Sequence, residues 1–375
     1  MMFTRGEVET LGLCALCKDL SVNVGTEDEE ILLENLENLG LLRKSRNGLS
    51  FRVSTYGYDY LQSIGLIFER DKTYLGKSKA LYRRLEAAKT TYFFLKSGAD
   101  IFNGLSSDKT NDNLYVPSFL YRRQSSSNIL GVTRMLGFFY LRDVMFVPYF
   151  ISKDNNGIYT DLEERTFSSE TMSKKYKPVV LFSSDGNLED VLKISFKPLA
   201  KKEKVNTDSY SEAMKKFRTP VAFVTLDSNG LDAINIMSVK DYRTKLARLI
   251  LMNDYGSPTL KYSDGVNAKT KENLIIGIDS NIWAMKEVIR NSDKTTHILL
   301  LPFQQKTIGR FLKGENARLH TLNVQDINSM LRISNREFKL SNEPYITKEG
   351  GYAYVPIVKP IAKAGRQKRT NIQGT

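Results

Sequence analysis

The chain has 375 residues, 41% of them hydrophobic and 26% charged, which is enough apolar material for more than one packed core and excludes a wholly disordered protein. Its 55 Lys and Arg against 42 Asp and Glu leave a net charge of +13, which draws phosphate polyanions through counterion release without choosing among DNA, RNA and an anionic membrane surface. With only two cysteines, Cys14 and Cys17, a disulfide framework is excluded and a reducing, cytoplasmic setting is expected.

In chain order, the opening MMFTRGEVE lacks the apolar core and small-residue cleavage site of a signal peptide. Thr4 to Glu7 fits a capping box and starts a helix with Val8, Leu11 and Ala15 on one face. Cys14 and Cys17 form a CxxC inside that helix, beside Leu11, Leu13 and Leu16. A structural zinc site would need two more ligands, and the only histidines, His297 and His320, lie far off without ligand spacing. The thiols therefore read as core groups. Thr26 to Glu29 is a second capping box, opening a helix with Ile31, Leu32, Leu36 and Leu39 that Gly40 stops. LLRKSRNGLSFRV then reads as two short strands around Asn47-Gly48, and Ser54 or Thr55 caps a further helix carrying Tyr58, Tyr60 and Leu61.

Helix, helix, hairpin, helix predicts a winged helix-turn-helix module over residues 1–66. The helix that would enter a DNA groove carries Glu27, Asp28, Glu29, Glu30, Glu34 and Glu37 and neither Lys nor Arg, so it would repel phosphate there. Positive charge sits on the wing instead, at Arg43, Lys44, Arg46 and Arg52. The expectation is that double-stranded DNA is held by the wing, while the acidic helix 26–39 faces water or a protein partner.

Residues 67–98 read as a basic connecting helix. Leu81, Leu85, Ala88, Tyr92 and Leu95 form its apolar stripe, with Lys79, Arg83, Arg84 and Lys89 largely off it as a second set of DNA-binding candidates. A Ser-, Asn-, Asp- and Gly-rich linker, 99–130, surrounds the short LYVPSFLY and includes Arg122 and Arg123. The apolar stretch Met135 to Ile151 is broken by Arg142, Asp143 and Pro148, so it reads as two paired strands and not as a membrane span. A polar amphipathic segment follows at about 161–175.

Next come PVVLFSSDGNLEDVLKI, TPVAFVTLDSNGLDAI, KENLIIGIDSNIWAMKEVI and THILLLPFQQKTIGRFL, each an apolar run leading into a polar turn and usually a helix. VKDYRTKLARLILMN adds a helix, and LHTLNVQDINSMLRI closes with a strand and a helix. Residues 131–335 are thus expected to form an α/β domain with a mixed, partly parallel sheet, making the protein α/β overall. Three strand ends carry Asp185, Asp227 and Asp279. If they converged they could hold Mg²⁺ for phosphodiester cleavage; turn and helix-cap roles are the simpler reading, with no metal or cofactor. Neither a G-x-x-x-x-G-K-[ST] loop, a G-x-G-x-x-G after a strand, nor a G-x-S-x-G elbow is present. Residues 336–375 read as an extended basic tail with Lys359, Lys363, Arg366, Lys368 and Arg369.

A winged N-terminus, a basic helix, SSSNILGVTRMLGFFYLRD leading into VMFVPYF, and βα units such as VVLFSSDGNLEDVL and LIIGIDSNIWAMKEVI resemble replication-relaxation-like proteins of plasmids and conjugative elements of Gram-positive bacteria. The resemblance implies a DNA-binding accessory role in plasmid replication or conjugative transfer and is compatible with a divergent nuclease-like α/β domain; the leading reading is a DNA-binding protein without catalytic activity, compatible with a homodimer. The alternatives are a divergent metal-dependent nuclease using the strand-end aspartates, and a transcriptional regulator or protein scaffold.

Overall fold

The computed structural model describes residues 2–23, 27–70, 75–102, 115–118, 135–152, 159, 161–184, 186–195, 217–334 and 338–355. The chain divides into two compact units, residues 1–85 together with 341–375, and residues 86–340. The sequence-based linker, 99–130, falls inside the second unit.

In the first unit, α1 (Arg5–Cys17) starts at the expected capping box: the Glu7 N–H donates to Thr4 Oγ1 at 3.2 Å and the Thr4 N–H to Glu7 Oε2 at 2.7 Å. Cys14 is fully buried, and that burial pushes its thiol pKa up, as suits a core group. Cys17 is half-buried. After β1 (Leu20–Ser21) comes α2 (Glu27–Asn38), which buries Leu33 and Leu36 while Ile31 stays 49% exposed. The inward stripe is therefore rotated from the Ile31–Leu32–Leu36–Leu39 line expected; Thr26 lies outside the described residues. The hairpin forms as expected: β2 (Leu42–Lys44) and β3 (Ser50–Val53) pair antiparallel in the register Leu42↔Val53, with Gly48 at φ +70° in the turn. The sheet order is β1-β3-β2. Ser54 then caps α3 (Thr55–Ser63), accepting the Gly57 N–H at 2.9 Å.

Part of the segment read as an extended tail returns to this unit. Met2 pairs with Tyr354 and Thr4 with Pro344, and the Tyr60 hydroxyl donates to the Tyr354 carbonyl at 3.1 Å. Several backbone groups of the segment pair with residues 3–6, among them the Phe3 N–H with the Ala353 carbonyl at 2.8 Å and the Tyr345 N–H with the Phe3 carbonyl at 2.9 Å. The tail cations from Lys359 onward lie outside the described residues.

Helix α4 (Lys79–Lys96) begins in the first unit and ends in the second. Among the described residues the second unit holds two five-stranded mixed sheets, where one had been expected. The first runs β4 (Tyr115–Pro117), β5 (Gly137–Leu141), β6 (Val144–Phe150), β7 (Pro178–Ser184), β8 (Val221–Thr225), in chain order across the sheet. Strands β4, β5 and β6 form an antiparallel meander, and β7 and β8 are added in parallel. Between the last three strands lie α5 (Asp161–Phe167), α6 (Glu170–Tyr176) and α7 (Leu188–Ser195); α8 (Ser228–Met237) and α9 (Tyr242–Leu251) follow.

The second sheet repeats that plan. β9 (Tyr255–Gly256), β10 (Gly265–Asn267) and β11 (Asn273–Ile276) make an antiparallel meander, and β12 (Thr296–Leu300) and β13 (Ala317–Thr321) are added in parallel, again in chain order. Its helices are α10 (Ile282–Arg290), α11 (Pro302–Phe311) and α12 (Val324–Leu331). Among the described residues the two sheets thus share one strand plan, three antiparallel strands followed by two added in parallel. The two halves share a core: Val147, Phe182 and Phe223 of one join Ile275, Ile298 and Leu300 of the other in a single apolar cluster. Every strand–turn–helix unit expected from residue 178 onward is present. The short strands β4, β9 and β10 were not expected, because two- or three-residue strands carry too little periodicity to be read.

α5 also corrects the polar reading of its segment: Glu163 and Glu164 are buried. Each carboxylate is satisfied, Glu163 by the Tyr149 hydroxyl at 2.8 Å and Glu164 by the Tyr159 hydroxyl at 2.8 Å and the Arg218 and Thr219 N–H groups at 2.7 and 3.1 Å. Where β8 turns into α8, Gly230 leaves no room for a side chain, since a Cβ there would lie 1.9 Å from the Thr225 carbonyl oxygen. Gly230→Ala is expected to destabilise the second unit by about 1–3 kcal/mol through forced backbone displacement. Urea unfolding followed by the fluorescence of Trp283, the only tryptophan, measures it; an unchanged midpoint would contradict the close approach. Among the described residues no helix is long and apolar enough to cross a membrane.

Candidate nucleic-acid interface

The residues picked out as DNA-binding divide into two groups. Arg43, Lys44 and Arg46 on the hairpin and Lys79 and Arg83 on α4 are exposed. Lys44 also pairs with Glu37 of the acidic helix at 3.4 Å and stacks over Phe51. Arg52 and Arg84 are placed differently. Both reach Asp19, a buried carboxylate in the turn after α1, at 3.6 and 3.2 Å. The Ser50 hydroxyl donates to the same carboxylate at 2.9 Å, and Arg52 Nε donates to the Lys18 carbonyl at 3.3 Å. The Arg52 side chain is 10% exposed, so it serves as an internal counterion and not as a surface contact. Lys89 is half-buried farther along α4.

This clamp shapes the surface around it. Arg43 lies directly across the ladder from Arg52, so the two side chains leave the same face of the hairpin. Arg84 brings the first turns of α4 to Asp19, and Asn47 at the hairpin tip donates through Nδ2 to the Gly76 carbonyl just ahead of that helix, at 3.2 Å. Hairpin and helix start are thus tied at two points, and the cations on each belong to one unit. Asp19, in the apolar stretch ALCKDLSV, carries no local signal of this role; its two arginines come from 33 and 65 residues away in the chain.

The strand-end aspartates take separate roles. Asp227 caps α8, accepting from the Gly230 N–H at 3.0 Å and the Thr225 hydroxyl at 2.6 Å. Asp279, with Asp264, grips Arg243 of α9: Nη1 to Asp279 is 2.6 Å and Nε to Asp264 is 2.9 Å. Asp185 lies outside the described residues. Burial holds the Asp279 carboxyl above its usual pKa, with Arg243 pulling the other way. A cavity of about 490 Å³ opens beside this triad, with Lys177, Arg218 and Lys240 also on its walls. Among the described residues, no group of three His, Cys, Asp or Glu side chains is placed to hold a metal.

His297 and His320, which the sequence leaves unconnected, are neighbours. They sit on the adjacent parallel strands β12 and β13, with His297 Nδ1 2.8 Å from His320 Nε2. Glu272 lies 3.4 Å from the other ring nitrogen of His297. Partial burial, His297 and Arg318 together hold His320 below the ordinary imidazole pKa of 6.5. The folded state then takes this proton later than the unfolded chain does. Its contribution to stability is complete above about pH 6.5 and is lost as pH falls from there through the lowered value. In metal-free buffer, melting temperatures between pH 7.5 and 5.5 should fall more steeply for the parent protein than for His320→Asn; equal slopes would disprove the assignment. Comparisons with protein-family models, curated proteins and solved structures return no match to this chain.

Proposed function

We propose that the protein binds duplex DNA through its first unit, gripping the phosphate backbone with the hairpin and the start of α4. The observation that carries this reading is the Asp19 clamp with the Asn47–Gly76 hydrogen bond, which joins two basic groups remote in sequence. The order α1-β1-α2-β2-β3-α3, with its β1-β3-β2 sheet, suits a winged helix-turn-helix whose wing is the β2–β3 hairpin. Because α2 is acidic and the hairpin is basic, recognition follows backbone shape more than base edges. The net charge of +13 adds a nonspecific attraction. Together with the resemblance to replication-relaxation-like proteins, this supports a non-catalytic, cytoplasmic accessory role in plasmid replication or conjugative transfer. Ile31, half-exposed amid the acids of α2, favours a protein partner for that helix in addition to DNA.

Fluorescence anisotropy with a labelled mixed-sequence duplex tests the reading. For Arg43→Gln/Lys79→Gln/Arg83→Gln, the slope of log K against log salt should flatten by about 0.9 for each phosphate contact removed. A slope equal to that of the parent protein would reject this surface.

A further inference from the structure

We propose that His297 and His320 form a binding site for a divalent transition metal of the zinc type, the ion replacing the proton now shared by the two rings. The two nitrogens are 2.8 Å apart, with the ring centroids at 5.0 Å and the planes 15° apart, so each ring directs a nitrogen at the other. Two imidazole ligands of a tetrahedral ion, each about 2.0–2.1 Å from it, stand roughly 3.3 Å apart. The existing pair is about half an ångström short of that, a gap that a small turn of the exposed His320 ring closes.

Glu272 supplies the second argument. It faces Nε2 of His297, the nitrogen pointing away from His320, at 3.4 Å. The pair is at ion-pair distance without hydrogen-bond geometry, and the nearby negative charge favours the tautomer with the proton on Nε2, which leaves the Nδ1 lone pair directed at the gap. The platform is rigid as well. His297 is registered against Arg318 and His320 lies two residues on, so both rings rise from one face of a parallel ladder. β13 is the last strand of its sheet, and His320 is exposed, so the remaining coordination positions open to water or a ligand. Arg318 stands on the same face and opposes a bare dication, which favours an ion carrying an anionic ligand such as hydroxide.

The exchange balances simply. The ion accepts one lone pair from each neutral ring, and the proton now on His320 Nε2 is relocated through solvent to His320 Nδ1, so neither ring becomes an imidazolate and no net proton is released. Zinc was not indicated by sequence spacing because β12 and β13 are joined through a helix, which sets the two ligands 23 positions apart.

The test is isothermal titration of the full chain, stripped with chelator, with ZnCl₂. The Cys14→Ser/Cys17→Ser background removes the thiols as competing ligands. One saturable site is expected, weakened at least about 10-fold by His297→Ala or His320→Ala and about 10-fold by Glu272→Gln. Metal-free melting curves confirm that each variant is folded; Glu272→Gln keeps the proposal testable if a histidine variant is not. No saturable binding, or parental affinity in His320→Ala, would overturn the assignment and leave the pair as a hydrogen bond between strands.

Discussion

Arg243→Met should cost the second unit about 3 kcal/mol or more, because it removes the one cation shared by two largely buried carboxylates. Asp264 and Asp279 are 10% and 11% exposed, against 25% for the arginine, and each also accepts a backbone N–H, from Ile276 at 2.7 Å and from Asn281 at 3.1 Å. Those N–H groups hold the carboxylates in place after the arginine is gone, so the repulsion has little room to relax. The quarter exposure of Arg243 puts the expected loss toward the lower end of the 3–5 kcal/mol typical of a broken buried pair. The sign of the pH dependence is fixed too. Burial already raises the Asp279 pKa in the folded state, so the folded protein binds that proton before the unfolded chain does. Stability from this group therefore rises as pH falls through the raised value, and the deficit of the variant should shrink in acid. Urea melts read by Trp283 measure both effects. An unchanged midpoint, or a deficit that grows in acid, would contradict this account. Adding Asp264→Asn should restore part of the loss.

Asp19→Asn should weaken DNA binding even though it raises the net positive charge by one. The change leaves Arg52, 10% exposed, and Arg84, 29% exposed, without their common counterion, at an expected cost of about 3 kcal/mol after discounting for the exposure of Arg84. That is a large part of the roughly 5–15 kcal/mol that holds a domain together. It also frees the first turns of α4 from the hairpin and disperses the cations that the proposal needs side by side. A polyanion sponge would respond to net charge alone and bind DNA more tightly. Anisotropy at matched salt, below the melting temperature of the variant, separates the two: higher affinity in Asp19→Asn would reject a preorganised surface.

Much of the architecture was legible because it is written locally. The Thr4–Glu7 capping box, the Asn47-Gly48 hairpin and each strand–turn–helix unit after residue 178 depend on neighbours a few residues apart, and all are found in place. What only the tertiary structure decided is which distant residues meet. Parallel strands are joined by crossovers, so facing residues on β12 and β13 are some 20 positions apart, and no local spacing announces that His297 and His320 touch. The same holds for the duplicated plan of the second unit, carried by strand pairing and not by repeated residues, and for Arg52 and Arg84, which look like surface cations in sequence until Asp19 is brought between them. Charge is a property of the sequence, whereas the partner of each charge is set by chain packing, because burial makes an unpaired ion too costly to leave alone.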